Sequence, residues 1–595
     1  MPGLIVLLSF IMFFIPADIE AQTIGHDFLW ETYEQYKISP ENQAVLKHAE
    51  LVGLLEQIRA EHPGIVKVRK VGESVEGRSI NLVTIGSGPQ KVFLWSQMHG
   101  NEPTATSALL DILNYMTHNL YQPFVKEIIT GTTLLMIPML NPDGAERFTR
   151  RNAQEIDINR DARYLQSPEG RTLKAVRDEY LPDFGFNLHD QGTRGMIGKT
   201  KNVAAISLLT PPFDSEDNDN ETKIRAKKVA ATFLQAIAPE AYGYVSKYDA
   251  DFMPRAFGDM MQRWGVSTVL VESGGWFDID RTELIRINFV GLLSVFHAIA
   301  TDTYLNANPV LYDALRRSGE YNLFDLMVSE VTVINGRDIA PFTADIGVNY
   351  ALRQTAEGPV ISRAAIADIG DLQITAGKHT IAGKELVITP GFILFDPEVT
   401  PASLPSGSES RKLLQQGVTT IIGTVDMKNR RELELLDMLK DGLQSGVNIG
   451  FIGILDGFSE ELSGPERDDL VYALTRGVLA VSMQSETPEV SRYLEWLGIP
   501  AVPFETLTPM RIGNTVSIEQ IRDLTYRSAR SFYIGARGQV GLGAGADLLL
   551  FEKVDSFTSG DSIDLSRLKY ILFNGEIIYE DGVFTRPAAG SFIRN

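Results

Sequence analysis

The chain contains no cysteine and only eight histidines among its 595 residues. The absence of cysteine excludes disulfide bonds, thiolate catalysis and every metal site built on sulfur. The scarcity of histidine restricts any imidazole-based metal site to a few positions. Basic residues are also in deficit, since 55 Lys and Arg stand against 76 Asp and Glu, for a formal net charge of −21. Such an acidic chain repels phosphate backbones, so we expect no nucleic-acid partner.

Long hydrophobic runs are equally scarce, and the clearest one lies at the start. Residues 4–15 read LIVLLSFIMFFI and precede Pro16, Ala17 and the small residue Ala21. A run of about twelve residues is too short to span a bilayer but is typical of a secretory signal peptide. We therefore expect a signal peptide at residues 1–21, a periplasmic or extracellular protein and no stable membrane span. No Lys or Arg precedes the run, so an uncleaved anchor and a misassigned start stay open.

The rest of the chain divides into two regions that differ in their pattern of apolar residues. Hydrophobic residues make up 44% and charged residues 22% of the chain, which is typical of globular domains. Up to residue 306, apolar runs alternate with amphipathic stretches, which indicates an α/β domain. After Tyr321 the sequence consists of short β-rich pieces, so we place a boundary near residue 310 and predict domains at residues 22–310 and 320–595. The strands predicted in the first domain are residues 80–85, 92–98, 133–140, 186–189 and 268–272, and the helices are residues 104–119 and 222–237.

Potential metal ligands lie where predicted strands end. His99 and Glu102 directly follow the strand 92–98, and His189 ends the strand 186–189. Because ligands in open α/β sheets gather at the carboxyl ends of strands, the two segments could converge. Two imidazoles and one carboxylate make a three-ligand zinc set that leaves the fourth position for water, as in catalytic zinc sites. The pattern predicts one Zn²⁺ per chain.

A base and several arginines accompany these ligands. Glu272 ends the strand 268–272 and precedes the small residues Ser273, Gly274 and Gly275, which leave room beside it. It could take a proton from a zinc-bound water, although taken alone it also fits a surface carboxylate at a strand end. Arginines follow the NPDG turn at residues 141–144, and near a zinc they suit the polarisation of a carbonyl or the binding of a carboxylate.

Taken together and in order, these motifs resemble the zinc metallocarboxypeptidases of the carboxypeptidase A type, over about residues 51–306. The resemblance implies a mixed sheet flanked by helices, with His99, Glu102 and His189 as zinc ligands and Glu272 as general base and acid. The motifs that carry it are GESVEGRSI at residues 72–80, HGNE at 99–102, NPDG at 141–144, RRN at 150–152, DINRD at 157–161, His189 and Glu272.

The resemblance also implies substrate contacts, and the sequence departs from the family at some of them. Arg150 is implied for carbonyl polarisation, and Asn159 with Arg160 for the terminal carboxylate of the substrate. Asn101 stands where the digestive enzymes have an arginine. Arg255 lies in the segment that shapes the specificity pocket, where it could select an acidic side chain, replace the missing carboxylate contact or form a structural salt bridge. The tyrosine that closes over substrate has no motif here, and Tyr244 and Tyr248 lie in about the right region.

Three readings of the function follow from these residues. The prediction is zinc-dependent hydrolysis of a C-terminal peptide bond. HGNE and DINR also occur in the aspartoacylase and succinylglutamate desuccinylase relatives, so an amidase acting on small N-acyl amino acids stays open, as does one acting on cell-wall peptides. The third reading is a non-catalytic binding protein.

The second region resembles a different group, the amidohydrolases close to D-aminoacylase and dihydroorotase. The resemblance implies a β-sandwich from residues 320–391 and 535–595 around a shortened α/β barrel-like part at residues 392–534. The HxH pair expected after PGFI is replaced by LFDPE at residues 394–398, and His379 is the only histidine after residue 300. About 140 residues remain for the barrel, fewer than eight βα units usually take. We therefore predict an accessory domain without metal ligands, whose partner is unknown. The motifs are VTVING at residues 331–336, ADIGV at 344–348, ADIGDL at 367–372, VITPGF at 387–392, QGVTTII at 416–422, VGLGAGADLLLF at 540–551 and FNGEIIYEDG at 573–582.

Overall fold

The chain forms two units, residues 1–323 with 354–360, and residues 324–353 with 361–595. The predicted signal peptide, residues 1–21, falls mostly outside the described residues and stays a prediction. The first unit extends past the predicted boundary near residue 310, because residues 318–322 form a strand that pairs with residues 195–197 of the same unit. The computed structural model describes residues 18–40, 46–249, 251–278, 281–441, 445–455, 458, 462–483, 488–497, 499–509, 511–535, 537–553, 562–586, 588 and 593.

The first unit is built from ten helices and ten strands among the described residues. Its helices are α1 (Asp18–Tyr36), α2 (His48–Glu61), α3 (Thr104–His118), α4 (Pro123–Gly131), α5 (Pro142–Arg147), α6 (Pro168–Tyr180), α7 (Glu221–Ala241), α8 (Phe257–Arg263), α9 (Thr282–Ala300) and α10 (Val310–Asp313). Its strands are β1 (Val66–Glu73), β2 (Ser79–Gly86), β3 (Gln90–Ser96), β4 (Thr132–Ile137), β5 (Phe184–Asp190), β6 (Gly195–Ile197), β7 (Ile206–Leu209), β8 (Val245–Lys247), β9 (Ser267–Ser273) and β10 (Ser318–Asn322).

Eight of these strands form one mixed sheet in the order β1-β2-β4-β3-β5-β9-β7-β8. The four central strands, β4, β3, β5 and β9, run parallel to one another, whereas β2 and β7 flank them in the antiparallel direction. The carboxyl ends of β3, β5 and β9 therefore meet at one edge of the sheet. The mixed α/β fold predicted from the sequence is confirmed.

The alternation of side chains along β3 shows how the sheet is buried on both faces. Val92 and Leu94 join the hydrophobic core formed with α3 and α9, while Phe93 and Trp95 join the core formed with α6 and α8. Full burial of an apolar side chain of this size contributes about 1.5–3 kcal/mol. The apolar runs that predicted these strands are continuous because both faces are covered by helices.

Helix α1 is tied to α3 through one buried carboxylate. Asp111 in α3 accepts hydrogen bonds from the Tyr33 hydroxyl at 3.1 Å, from the backbone N–H groups of Ile38 and Ser39 at 2.8 Å each, and from the Ser39 hydroxyl at 2.9 Å. Burial raises the pKa of Asp111 to about 6, although these hydrogen bonds oppose the shift. Helix α9 lies in the same core. It is the one helix of the described residues with the length and apolar composition of a membrane span, and 72% of that window is buried.

Two predicted strands end earlier than expected, and each has a local cause. The strand predicted to run to Met98 ends at Ser96, because Gln97 adopts a positive φ of 49° that turns the chain out of the sheet. The strand predicted to run to Leu140 ends at Ile137, because Pro138 has no N–H to donate to a neighbouring strand. The loops that carry the HGNE and NPDG motifs begin directly after these two strand ends.

The second unit contains a large sheet and a smaller parallel one. Strands from both ends of the region join in the large sheet, since β15 pairs with β21 in the antiparallel direction. Its strands are β11 (Phe324–Val333), β12 (Phe342–Thr355), β13 (Gly358–Gly370), β14 (Gly377–Ala382), β15 (Leu386–Pro390), β16 (Phe392–Phe395), β17 (Val418–Asp426), β18 (Asn448–Ile454), β19 (Ala480–Ser482), β20 (Thr515–Ser517), β21 (Leu548–Glu552), β22 (Ser562–Asp564), β23 (Leu568–Phe573), β24 (Glu576–Glu580) and β25 (Val583–Phe584). Its helices are α11 (Ser408–Gln415), α12 (Arg430–Asp441), α13 (Gly464–Thr475), α14 (Pro488–Leu497), α15 (Ile518–Arg522) and α16 (Ser528–Ser531).

The large sheet has nine strands in the order β13-β12-β11-β15-β21-β23-β24-β25, with β14 also paired to β11. The parallel sheet has four strands in the order β16-β17-β18-β19, connected through α11, α12 and α13. A (β/α)8 barrel has eight, so the parallel sheet of the described residues has half that number. The β-sandwich and barrel-like description of this region stays a prediction.

Candidate metal centre

Three side chains converge at the carboxyl edge of the central strands. His99 and Glu102 lie in the loop between β3 and α3, and His189 lies near the end of β5. One ligand atom of each lies within 4.8 Å of the others, and all three residues are buried. Glu102 Oε1 is 2.8 Å from His99 Nδ1, Glu102 Oε2 is 2.7 Å from His189 Nδ1, and the two Nδ1 atoms are 3.1 Å apart.

This donor set fits a zinc ion. Two imidazole nitrogens and a carboxylate oxygen are among the ligands that zinc prefers, and donors at about 2.0–2.1 Å from a tetrahedral zinc lie about 3.3 Å from one another. The observed separations are shorter by a few tenths of an ångström, so small side-chain adjustments are sufficient. It is the one such group of His, Asp and Glu side chains found in the described part of the chain.

The loop that carries His99 and Glu102 is shaped by its contact with the NPDG turn. A Cβ on Gly100 would lie 2.0 Å from the carbonyl carbon of Gly144, so only glycine fits there. The Asn141 side chain donates to the Met98 carbonyl at 3.3 Å and to the Arg150 carbonyl at 3.4 Å. One buried amide therefore links the loop of the first ligands to the loop that carries Arg150.

Glu102 and His99 stabilise each other's charged forms. Burial opposes ionisation of Glu102, but the charges and hydrogen bonds of His189 and His99 outweigh it and hold the Glu102 pKa well below its ordinary value. Burial likewise lowers the pKa of His99, yet Asp157 and Glu102 outweigh it and raise that pKa. Metal ligation requires a neutral imidazole, so metal binding here competes with a proton.

Asp157 orients the first histidine, a role that could not be inferred from its place in the DINRD motif. His99 Nε2 donates to Asp157 Oδ1 at 3.1 Å, which leaves Nδ1 facing Glu102. Arg150 donates to Asp157 Oδ2 through Nε at 3.2 Å and Nη2 at 3.0 Å. Although burial opposes it, the contacts with His99 and Arg150 hold the pKa of Asp157 below its ordinary value. A carboxylate behind a ligating histidine fixes the tautomer and orientation of the ring.

Glu272 lies directly opposite His189 in the pairing of β9 with β5. Its side chain is buried, and burial raises its pKa to about 7, with further contributions from the carboxylates of Glu102 and Asp190. His189 and Arg150 oppose this shift. A carboxyl group with a pKa near neutrality is suited to take up and release a proton at physiological pH.

Arg150, predicted as catalytic, and Asn159, predicted to bind substrate, reach the ligands, whereas the other two predicted substrate-binding residues do not. Arg150 Nη1 lies 3.1 Å from His99 Nδ1 and 3.3 Å from Glu102 Oε1. Asn159 Nδ2 lies 3.4 Å from His189 Nε2, and Asn159 Oδ1 accepts from the Phe257 N–H at 3.0 Å. Arg160 Nη1 donates to the Asn159 carbonyl at 2.8 Å and forms no hydrogen bond with the three ligands. Arg255 is exposed and forms no ion pair with a described residue.

Of the two tyrosines considered from the sequence, Tyr248 has a pKa that is shifted by burial and by the charges of the site. Burial raises its pKa, and the Glu272 carboxylate adds to the shift while Arg150 and Arg160 oppose it. Tyr244 instead packs edge-on against Trp276 and Phe277, with ring centroids 5.4 and 5.6 Å away. Tyr248 lies just after β8, outside any motif, and for this reason the sequence could not distinguish it from Tyr244.

Comparison with known proteins points to one family for part of the first unit. The sequence model of the zinc carboxypeptidase family matches residues 51–187, a stretch that contains His99 and Glu102 and ends two residues before His189. Carboxypeptidase Z of Mus musculus is 26% identical over an alignment of 158 residues, and the match covers 23% of this chain and 24% of that protein. The chain thus spans about a quarter of the length of this curated relative.

Two solved structures share more remote likeness. The metallo-carboxypeptidase from Burkholderia cenocepacia is 18% identical with a TM-score of 0.36, over 43% of this chain and 69% of that chain. A D-aminoacylase described as defining a subset of amidohydrolases is 14% identical with a TM-score of 0.30, over 46% of this chain and 100% of that chain. Both scores lie below 0.5, too low to define a shared fold.

Proposed function

We propose that the protein is an exported zinc metallocarboxypeptidase, which removes the C-terminal residue of a peptide by hydrolysis. The observation that carries the proposal is the buried set of His99, Glu102 and His189, with Glu272 in register opposite His189. The similarity of residues 51–187 to zinc carboxypeptidases supports the same activity. Export rests on the predicted signal peptide.

His99, Glu102 and His189 would hold the zinc ion, which when bound lowers the pKa of water and polarises the scissile carbonyl. Glu272 accepts a proton from the attacking water on its carboxylate and returns it to the leaving amine, a cycle that its pKa of about 7 favours. Arg150 donates a hydrogen bond from Nη1 to the carbonyl oxygen, on which negative charge develops. Asp157 holds both Arg150 and the His99 ring in place.

Substrate binding is assigned to Asn159, Arg160, Tyr248 and Arg255. Asn159 and Arg160 bind the terminal carboxylate, and Tyr248 closes over the bound residue. Arg255, which is exposed, is also assigned to substrate binding, and an acidic side chain is the substrate group that it would attract. The second unit is an accessory domain without a metal.

The test uses the full-length protein and four sets of substrates. The zinc content of the purified protein is measured before and after treatment with a chelator, and we expect close to one zinc per chain rather than two or three. Peptides with a free C terminus, the same peptides amidated at the C terminus, N-acyl amino acids and cell-wall peptides are then incubated with it, and the products are identified by mass. We expect loss of single residues from the free peptides alone.

His189→Ala is the diagnostic variant, and His297→Ala is its matched control. His297 is a partly exposed histidine of α9 that pairs with Glu127 at 2.6 Å, away from the ligand set. We expect His189→Ala to lose zinc and hydrolysis, and His297→Ala to keep both. Retention of zinc and activity in His189→Ala would refute the ligand assignment, and cleavage of N-acyl amino acids alone would favour the amidase reading.

A further inference from the structure

Arg281, just before the first turn of α9, lies against the ends of the two strands that carry His189 and Glu272. Its Nη1 atom is 2.9 Å from Asp190 Oδ2 and donates to the Ser273 carbonyl at 3.3 Å. Its Nη2 atom donates to the Gln191 carbonyl at 3.3 Å. Asp190, the last residue of β5, and Gln191 follow His189 along the chain, and Ser273 follows Glu272 at the end of β9. One guanidinium group therefore contacts the residue after each of these two side chains.

Asp190 extends this connection to the third ligand. Its Oδ2 atom accepts from the Thr104 hydroxyl at 2.9 Å, and its backbone N–H donates to Glu102 Oε2 at 3.3 Å. Thr104 begins α3, two residues after Glu102. The Arg281–Asp190 pair is therefore bonded to three segments, which carry Glu102, His189 and Glu272.

Burial and geometry make the Arg281–Asp190 ion pair suited to hold these segments in fixed positions. The Asp190 side chain is 4% exposed and that of Arg281 is 17% exposed, so the ion pair is largely shielded from water. A planar guanidinium can bind several oxygens at once in a fixed geometry, which a lysine ammonium on a flexible stem cannot do. The pairing of β5 with β9 ends at the hydrogen bond from the Gln191 N–H to the Ser273 carbonyl, at 2.8 Å. Arg281 contacts the backbone of both segments at this end of the pairing.

We infer that Arg281 is a positioning residue of the metal centre, which fixes the separation of His189 and Glu272 by clamping the backbone that follows each of them. The inference rests on the proposed function, because it concerns the geometry of the same ligands and base. Displacements of about an ångström at such a site are enough to impair catalysis strongly. The guanidinium acts through the backbone and through Asp190, and it contacts neither substrate nor metal.

Electrostatics and geometry predict opposite effects for Arg281→Gln. Loss of a positive charge near the site favours a cation there, so a purely electrostatic role predicts zinc binding that is equal or tighter. Loss of the clamp misplaces His189, so a positioning role predicts weaker binding, by about 10–100-fold, as for other partners of metal ligands. Zinc affinity is measured by competition with a chromophoric chelator, which needs no substrate.

Matched variants separate positioning from general stability. Arg286→Gln is the control, because Arg286 lies on the same helix and donates through Nε and Nη2 to one carbonyl, that of Trp30, at 3.2 and 2.5 Å. We expect Arg286→Gln to keep the zinc affinity of the unmodified protein. Arg281→Lys keeps the positive charge but not the planar guanidinium group that binds several oxygens at once. We therefore expect its zinc affinity to lie between those of the unmodified protein and Arg281→Gln.

Kinetics supply the second readout. Because Arg281 acts on the ligand and the base and not on the groups assigned to the terminal carboxylate, we expect Arg281→Gln to lower kcat while KM changes little. Zinc affinity in Arg281→Gln equal to or above that of the unmodified protein overturns the inference, as does a kcat equal to that of Arg286→Gln. If the unmodified protein binds zinc but cleaves no peptide, the proposed function fails while the affinity comparison still decides the inference. If it binds no zinc, both fail.

Discussion

Asp157→Asn tests whether the carboxylate behind His99 organises the metal centre. Asp157 accepts one hydrogen bond from His99 Nε2 and two from Arg150. Asparagine retains one acceptor oxygen, so it can keep the bond to His99 but turns an amide N–H₂ toward the guanidinium of Arg150. The substitution thus changes a charge-assisted hydrogen bond to a neutral one at the histidine and removes the partner of the arginine.

The two losses have separate magnitudes and separate assays. A charge-assisted hydrogen bond contributes about 1.5–3 kcal/mol and a neutral one about 0.5–1.5, a difference of about 1.4 kcal/mol, or tenfold in a binding constant. We therefore expect the zinc dissociation constant, measured against a chromophoric chelator, to rise about tenfold. Release of Arg150 weakens oxyanion stabilisation, and we expect kcat at saturating zinc to fall by up to about 10²–10³.

Asp161→Asn is the control for the folding of the same segment. Asp161 is buried and accepts hydrogen bonds from the N–H groups of Gln166 and Ser167 and from the Ser167 hydroxyl, at 2.7–2.9 Å, without contact to the ligand set. We expect this variant to bind zinc normally. Zinc affinity in Asp157→Asn within twofold of both the unmodified protein and Asp161→Asn would refute the assignment of Asp157.

Three further predictions concern the base, the tyrosine and the buried acid of α3. Glu272→Gln should lower kcat by about 10²–10⁴ while zinc content stays near one per chain, and loss of the zinc would instead make Glu272 a ligand. Tyr248→Phe should raise KM or lower kcat severalfold, whereas Tyr244→Phe should change neither; equal effects in peptide hydrolysis would contradict the choice between them. Asp111 has a folded-state pKa of about 6, above that of an unfolded aspartate, so the folded chain binds more protons and stability falls as the pH rises through this range. From pH 5 to pH 8 the unmodified protein should lose about 1.4 kcal/mol of unfolding free energy relative to Asp111→Asn, as measured by denaturant titration, and parallel pH profiles would contradict the assignment.

The sequence predicted the convergence of His99, Glu102 and His189 because their positions depend on a simple rule. Apolar runs identified β3 and β5, parallel strands bring their carboxyl ends to one edge, and the structure brings the three ligand atoms together there. The same rule accounts for Glu272 at the end of β9. These positions follow from periodicity along the chain, which a single sequence displays directly.

The contacts that the sequence did not predict depend on side-chain geometry between distant segments. Asp157 was visible within a motif, but its hydrogen bond to His99 spans 58 positions and has no local pattern. Tyr248 and Tyr244 differ only in which neighbours surround them, and Arg281 lies in a segment that carried no motif. The end of β3 was placed two residues late because the positive φ of Gln97 is a backbone property that its residue type does not indicate.

The separation of the ligands along the chain gives the metal a second consequence. Glu102 and His189 are 87 positions apart, and they touch only when β3 and β5 have paired. A metal held by both would close this long loop. Disulfide bonds close such loops in many exported proteins. This chain has no cysteine, so a bound metal would be a different kind of cross-link. Free zinc at 100 times its dissociation constant would add about 2.7 kcal/mol to the folded state, so the ion would act as a reversible cross-link. The supply of zinc would then affect the stability of the folded protein as well as the hydrolysis proposed for it.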